Sequence, residues 1–247
     1  MSFIQQNNIP FAFAVGRGNV SNFSAINKFG FNPTCSTSFE LISVASANVT
    51  YPTSAGAVTV VSSSTADDAA GTGARTVKIE GLDANYDIQS ETVTMDGTTN
   101  VVTTNTYIRL NRMTVLTAGT GGKNAGNITA TIGGNEQVRI SSDYDNQSLI
   151  ATYTIPRKHQ GLLIRSQFTS TKDNKAMMGG IFVREESGVF QIKNTIELYR
   201  NNVVIDFPAP IIIPAKADIE LRGKNLGSGD SAMGATMDII LEKTEQS

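Results

Sequence analysis

The sequence is poor in the residues that perform chemistry. It has one cysteine, one histidine and no tryptophan. A zinc site built from His and Cys needs about four ligands, so that class is excluded. The lone Cys35 cannot close an internal disulfide and reads as a small packing residue. His159 lies in PRKHQG, a basic turn between strands. A solvated or hydrogen-bonded ring is the simpler reading there than a general base, and no nucleophile-elbow pattern accompanies it. Without Trp a sugar site lacks its usual stacking platform, and the Tyr residues (51, 86, 107, 144, 153, 199) are scattered. Charge is also scarce, at 17% of residues with a net charge of −2. No global field therefore draws nucleic acid. No window reaches the roughly 18 apolar residues of a spanning helix. MSFIQQNNIP has neither the basic region nor the apolar run of a signal peptide. The expectation is cytosolic synthesis with no membrane contact, no cofactor, no metal and no enzymatic activity.

What the chain does contain is β structure. Arg75–Glu80 alternates, with Val77 and Ile79 on one face and Thr76, Lys78 and Glu80 on the other, the mark of a strand with one dry face. Gly81–Asp87 is a turn signal. Ile88–Met95 resumes the pattern, and Asp96-Gly97 predicts a hairpin because Gly accepts the positive φ of a tight turn. In Tyr107–Leu116, Arg109 and Asn111 share a face with Tyr107, Met113 and Val115. Both faces of that run are partly apolar, which predicts a central strand between two layers.

The remainder divides around this stretch. Residues 39–64 predict two short strands, 128–132 and 137–140 two more, and the polar run 141–147 (SSDYDNQ) a domain boundary. Beyond it, about eight strands follow at regular spacing, the count of a β-sandwich or jelly roll. No segment predicts a helix longer than a turn or two. The expected fold is all-β: an extended N-terminal arm (1–38), a β-sandwich domain (39–142) and a β-sandwich, jelly-roll-like domain (143–247).

The arm differs in composition. Six of the eleven Phe residues lie in it, at 3, 11, 13, 23, 29 and 31, and its only charges are Arg17 and Lys28. Left exposed, six rings would promote aggregation. The arm then packs on its own domain, packs on a neighbouring subunit, where large aromatic anchors supply binding energy, or stays disordered. The candidate partner-interaction residues are Phe3, Phe11, Phe13, Arg17, Phe23, Lys28, Phe29 and Phe31.

Three patterns imitate catalytic or binding motifs and fail on their spacing. The glycine loop 119–127 (GTGGKNAGN) has Asn124 after Lys123, where a phosphate loop needs Ser or Thr, and a strand follows instead of a helix. Asp143-x-Asp145 opens like a calcium loop, but Ser148 stands where Gly is required. Glu185 and Glu186 are adjacent on a strand and point to opposite faces, so they cannot converge on one glycosidic bond.

SSSTADDAAGTGARTVKIEGLDANYDIQSETVTMDGTT (62–99), YIRLNRMTV (107–115) and NAGNIT (124–129) together resemble virion structural proteins of tailed bacteriophages. KFGFNP (28–33), YTIPRKHQG (153–161) and the closing ILEK (240–243) add to the likeness, which covers most of residues 28–243. The GLDANY…SETVTMDGTT phrase is its most specific part. MSFIQQNNIPFAFAVGRG has no counterpart. The resemblance implies an all-β component of the phage particle without catalytic residues: a decoration or cement protein on the capsid exterior. Its implied partners are the major capsid protein and further copies of itself, as dimers or trimers, in a virion assembled in the bacterial cytoplasm. Neck, tail or fibre placement is the alternative within that resemblance. A carbohydrate-binding adhesin module is an alternative of another class.

Overall fold

The computed structural model describes residues 10–45, 49–170, 176–199, 201–227 and 231–244. A short helix, α1 (Phe11–Gly16), leads into β1 (Phe23–Cys35) and β2 (Glu40–Leu41). Seven strands follow: β3 (Gly56–Ser62), β4 (Ala74–Leu82), β5 (Ile88–Thr94), β6 (Val101–Tyr107), β7 (Arg109–Ala118), β8 (Ile128–Ile132) and β9 (Asn135–Ile140). The chain closes with β10 (Thr152–Thr154), β11 (His159–Ser170), β12 (Ala176–Arg184), β13 (Gln191–Tyr199), β14 (Asn202–Ile213), β15 (Asp218–Asn225) and β16 (Ser231–Lys243).

These strands build two sandwiches, and all the pairings between them are antiparallel. One sandwich packs the sheet β1-β16-β11-β14 on the sheet β10-β15-β12-β13, with β2 added to β15. Counting β1 and then β10 to β16 as strands one to eight gives the orders 1-8-3-6 and 2-7-4-5. That is the topology of an eight-stranded jelly roll. Its core joins Leu163, Phe168, Met233 and Met237 of one sheet to Met177, Ile181, Ile219 and Leu221 of the other. The second sandwich packs β6-β3-β8-β9 on β5-β4-β7 around Val58, Val60, Val77, Ile79, Met113, Ile128 and Ile140. It is inserted between the first and second strands of the jelly roll.

The observed division therefore differs from arm, 39–142 and 143–247. Phe23–Cys35 is no arm but a jelly-roll strand in register with β16, from Phe23 opposite Glu242 to Cys35 opposite Ser231. Its alternation was hidden because the buried side carries Lys28, Gly30 and Asn32 while Phe29 and Phe31 lie on the other side. β2 also belongs to the jelly roll, since it pairs with Arg222 and Gly223. The chain leaves the jelly roll at Ser43 and returns at Ile150, and these two residues form a β-bridge. The return runs beside β7, where Val115 N–H donates to Asn146 O (2.8 Å) and Ser148 N–H to Met113 O (2.9 Å).

One local expectation changes. Asp96-Gly97 turns the chain, with Gly97 at φ 56°, but joins strands of opposite sheets and forms no hairpin. Pro208 and Pro210 lie within one strand, β14, whose register with β11 slips across that segment.

Candidate functional site

Among the described residues, no group of three or more His, Cys, Asp or Glu side chains is placed to hold a metal ion. Cys35 is fully buried in the jelly-roll core. His159 sits at the start of β11 with Nδ1 2.9 Å from Arg157 O. Asp145 pairs with Lys123 at 2.8 Å, and Glu186 with Lys216 at 3.2 Å. The glycine-rich loop does wrap an anion, but one from the chain itself. The buried Asp67 carboxylate accepts from Ala74 N (2.7 Å), Ala125 N (2.8 Å), Gly126 N (2.9 Å) and Ser62 Oγ (2.5 Å). Four donors fill its lone pairs, and the loop has no open cradle for a phosphate.

The expected interaction residues separate into two groups. Phe3 lies outside the described residues. Phe11 and Phe13 project from α1, 51% and 60% exposed. Arg17 lies over the Phe13 ring at 5.3 Å, and Phe11 meets Phe23 edge-on at 5.2 Å. The β1 residues are instead built into the molecule. Phe29 lies under the Arg112 guanidinium at 5.9 Å, and Phe31 packs edge-on to Tyr144 at 5.2 Å. Lys28 is 2% exposed, so it cannot reach a partner's surface.

A dense polar cluster lies at the seam between the sandwiches, where a cleft of about 490 Å³ opens. Arg109 reaches from β7 to the buried Asp218 of β15. Its Nε donates to Oδ1 (2.8 Å) and its Nη2 to Oδ2 (3.2 Å), while Nη1 donates to Pro52 O and Ile108 O. Arg184 of β12 adds two bonds to Asp218 Oδ2, from Nη2 (2.5 Å) and Nε (3.0 Å), and Thr154 Oγ1 donates to Oδ1 (2.6 Å). Burial works against the Arg109 charge, but the bonds and charge of Asp218 outweigh it and hold the guanidinium above its usual pKa.

Around this ion cluster, cations and rings alternate in a continuous ladder. Lys216 and Arg109 flank Tyr86 (5.5 and 5.6 Å), and Arg109 and Arg184 cover Tyr51 (4.8 and 4.4 Å). Arg184 and Arg222 then cover Phe190 (4.7 and 4.4 Å), and Arg222 also lies over Phe182 (4.6 Å). Phe182 meets Phe39, which carries Lys224 at 4.8 Å. Tyr51 and Tyr86 come from the inserted sandwich's side of the seam, Phe182, Phe190 and Arg222 from the jelly roll. Each such contact contributes about 0.5–2 kcal/mol, more where water is excluded.

The cluster's own bonds decide its chemistry. Asp218 accepts five hydrogen bonds and has no lone pair left for a substrate proton. The Tyr51 hydroxyl donates to Glu220 (2.6 Å) and lies 2.8 Å from Thr152 Oγ1. Burial, then the negative charges of Glu220 and Asp218, raise its pKa well above the usual phenol value. It is neither a nucleophile nor an acid near neutral pH. Both tyrosine rings line the cleft with cations set over them. The site is a joint. Sequence reasoning missed it, although a charged Arg109 on a partly apolar strand face was its visible trace.

A second contact crosses the seam nearby. The register of β7 against β4 slips between Arg112 and Leu110, leaving Asn111 as the extra residue of a β-bulge. Its freed carbonyl accepts from Lys28 Nζ. Arg112 Nη2 donates to Asn27 O at 2.7 Å. A cavity of about 320 Å³ lies here, lined by Lys28, Phe29, Glu80, Ile88, Arg112 and Tyr153 among others.

No family model matches the chain, and no curated protein matches it. Among solved structures, the chain is similar to one of infectious bursal disease virus, Gt strain, at 9% identity and TM-score 0.19, covering 96% of this chain and 83% of that one. A structure of the Gx strain follows at 9% identity and TM-score 0.23, covering 91% and 76%. T=1 particles derived from the same virus follow at 8% identity and TM-score 0.21, covering 91% and 75%. TM-scores this low carry no argument, and the jelly-roll assignment rests on strand order alone.

Proposed function

We propose that the chain is a non-enzymatic structural component of a phage particle that binds the capsid shell from outside and strengthens it as a decoration or cement protein. The observation that carries this reading is α1. It holds two exposed rings, Phe11 and Phe13, beside Arg17, ahead of the double sandwich. Exposed aromatics next to an arginine are the composition of an interface anchor. The phage-like phrases in 62–129 support the same reading, and the major capsid protein is the partner it implies. A symmetric shell favours dimers or trimers of such a protein at its local axes.

The test is co-sedimentation with shells assembled from coat protein. Saturable binding at a fixed ratio to coat subunits is expected, and the ratio identifies the axis occupied. The double substitution Phe11→Ser, Phe13→Ser is expected to weaken binding about tenfold or more while leaving the melting temperature unchanged. It is preferable to deletion through residue 34, which would remove β1. No binding by the wild-type protein would move it to the neck, tail or fibre. Normal binding by the double variant would remove α1 from the interface.

A further inference from the structure

We propose that Lys28 is a proton-sensitive latch between the two sandwiches, and that its release lets the inserted sandwich swing about the Arg109–Asp218 clamp.

The geometry sets two unlike contacts against each other across one seam, with Arg112 Nη2 donating to Asn27 O (2.7 Å) and Thr154 N–H to Asn111 Oδ1 (3.3 Å) beside the second. The clamp is a guanidinium–carboxylate cluster, and a guanidinium does not lose its proton under any condition a protein survives. The latch is an amine. Among the described residues, Lys28 Nζ has one hydrogen-bond acceptor, the bulge carbonyl of Asn111. A neutral amine is adequately placed there. An ammonium has three hydrogens to satisfy and loses far more on leaving water.

The surrounding charges do not supply what the ammonium needs. From β7, Arg112 repels it. From β4, Glu80 attracts it, but that carboxylate is bonded to Lys78 at 2.8 Å. From β10, Tyr153 faces the cavity with its phenol held neutral, its pKa raised chiefly by burial. On β1 the neighbouring side chain that meets an acid is Asn27, which donates to Asp238 of β16. Burial, then Arg112, lowers the Lys28 pKa from 10.5 to about 7.

The sign follows from proton counting. Between 10.5 and about 7, an opened seam binds a proton at Lys28 that the closed seam does not. Opening therefore becomes easier as pH falls, about tenfold per pH unit, and levels off below about 7, where both states are protonated. The latch is tightest in alkaline solution.

Amide hydrogen exchange on the full-length protein, corrected for intrinsic chemistry, tests this. Wild-type amides of β7 flanking Asn111 are expected to exchange about a hundredfold faster at pH 7.5 than at pH 9.5. They should also exchange faster than those of β16 at both pH values. In the Lys28→Met variant, which keeps the stem and lacks the charge, the difference should vanish. The ¹³Cε resonance of Lys28 in the wild-type protein should titrate near neutrality, well below the other lysines. An ordinary lysine midpoint would overturn the latch. So would pH-independent protection, or the same pH dependence in the variant. Seam amides that exchange in step with β16 would overturn the swing, because the seam would then open only on unfolding.

Discussion

At the scale of single residues, buried acids do the joining. Asp67 gathers the loops of the inserted sandwich, and Asp218 gathers the two sandwiches. Removing one member of a buried ion cluster leaves uncompensated charge behind, at a cost of about 3–5 kcal/mol. Asp218→Ala strands two guanidiniums and is expected to fall in that range, read as a lower urea midpoint with an unchanged slope. Adding Arg109→Met to it should recover part of the loss, since one stranded cation is removed with its need for a partner. Equal stability of the wild type and Asp218→Ala would mean that the clamp is ornamental. In the sequence only a charged Arg109 on a partly apolar strand face hinted at the clamp, and its partner was not legible. Arg109 and Asp218 are 109 positions apart, and a pairing at that distance leaves no local pattern.

At the scale of elements, strand pattern succeeds where a dry face is apolar and fails where it is not. β4 announces itself because Val77 and Ile79 alternate with polar neighbours. β1 does not, because its inner side carries Lys28, Gly30 and Asn32 against the jelly-roll corner. Gly30 is the hinge of that failure. A Cβ there would lie 2.0 Å from Ile42 O and 2.5 Å from Ala151 N, main-chain atoms that cannot step aside. Gly30→Ala is therefore expected to cost about 3 kcal/mol or more by forcing β1 off its neighbours. Thermal unfolding would show it, and a variant as stable as wild type would mean that the corner is loose. Outer strands carry a different message. β14 has Pro208 and Pro210 where its register slips, and β13 has a bulge at Lys193 opposite the Ile181–Phe182 step. Both are devices that blunt an open sheet edge against strand addition. Contacts with other subunits would then use faces and the α1 anchor.

At the scale of the whole molecule, a jelly roll carries a second sandwich inside its first connection. The polar run at 141–147 marked the way out of the insert, while the way in was obscured because Glu40–Leu41 is too short to show a period. Since Ser43 and Ile150 are already bridged, the insert is removable in principle. Replacing residues 44–149 with a short glycine linker is expected to give a folded jelly roll that melts cooperatively. It should melt below the full-length protein, because Asp218 loses Arg109 and Lys28 loses the Asn111 carbonyl, while Arg184 and Thr154 stay on Asp218. Failure to fold would show that the jelly roll depends on the seam.

The order of synthesis gives the first strand an unusual wait. β1 leaves the ribosome early, yet its pairing partner is β16, with Phe23 set against Glu242. At typical translation rates that gap lasts on the order of 10–40 s. The insert, by contrast, draws its strands from one continuous stretch and can close while the jelly roll is still being made. Through that interval β1 has an unpaired backbone, and Phe29 and Phe31 have only the insert's Arg112 and Tyr144 to pack on. A nascent chain of this design is a natural client for holding chaperones, and its yield should depend on them more than its final stability suggests.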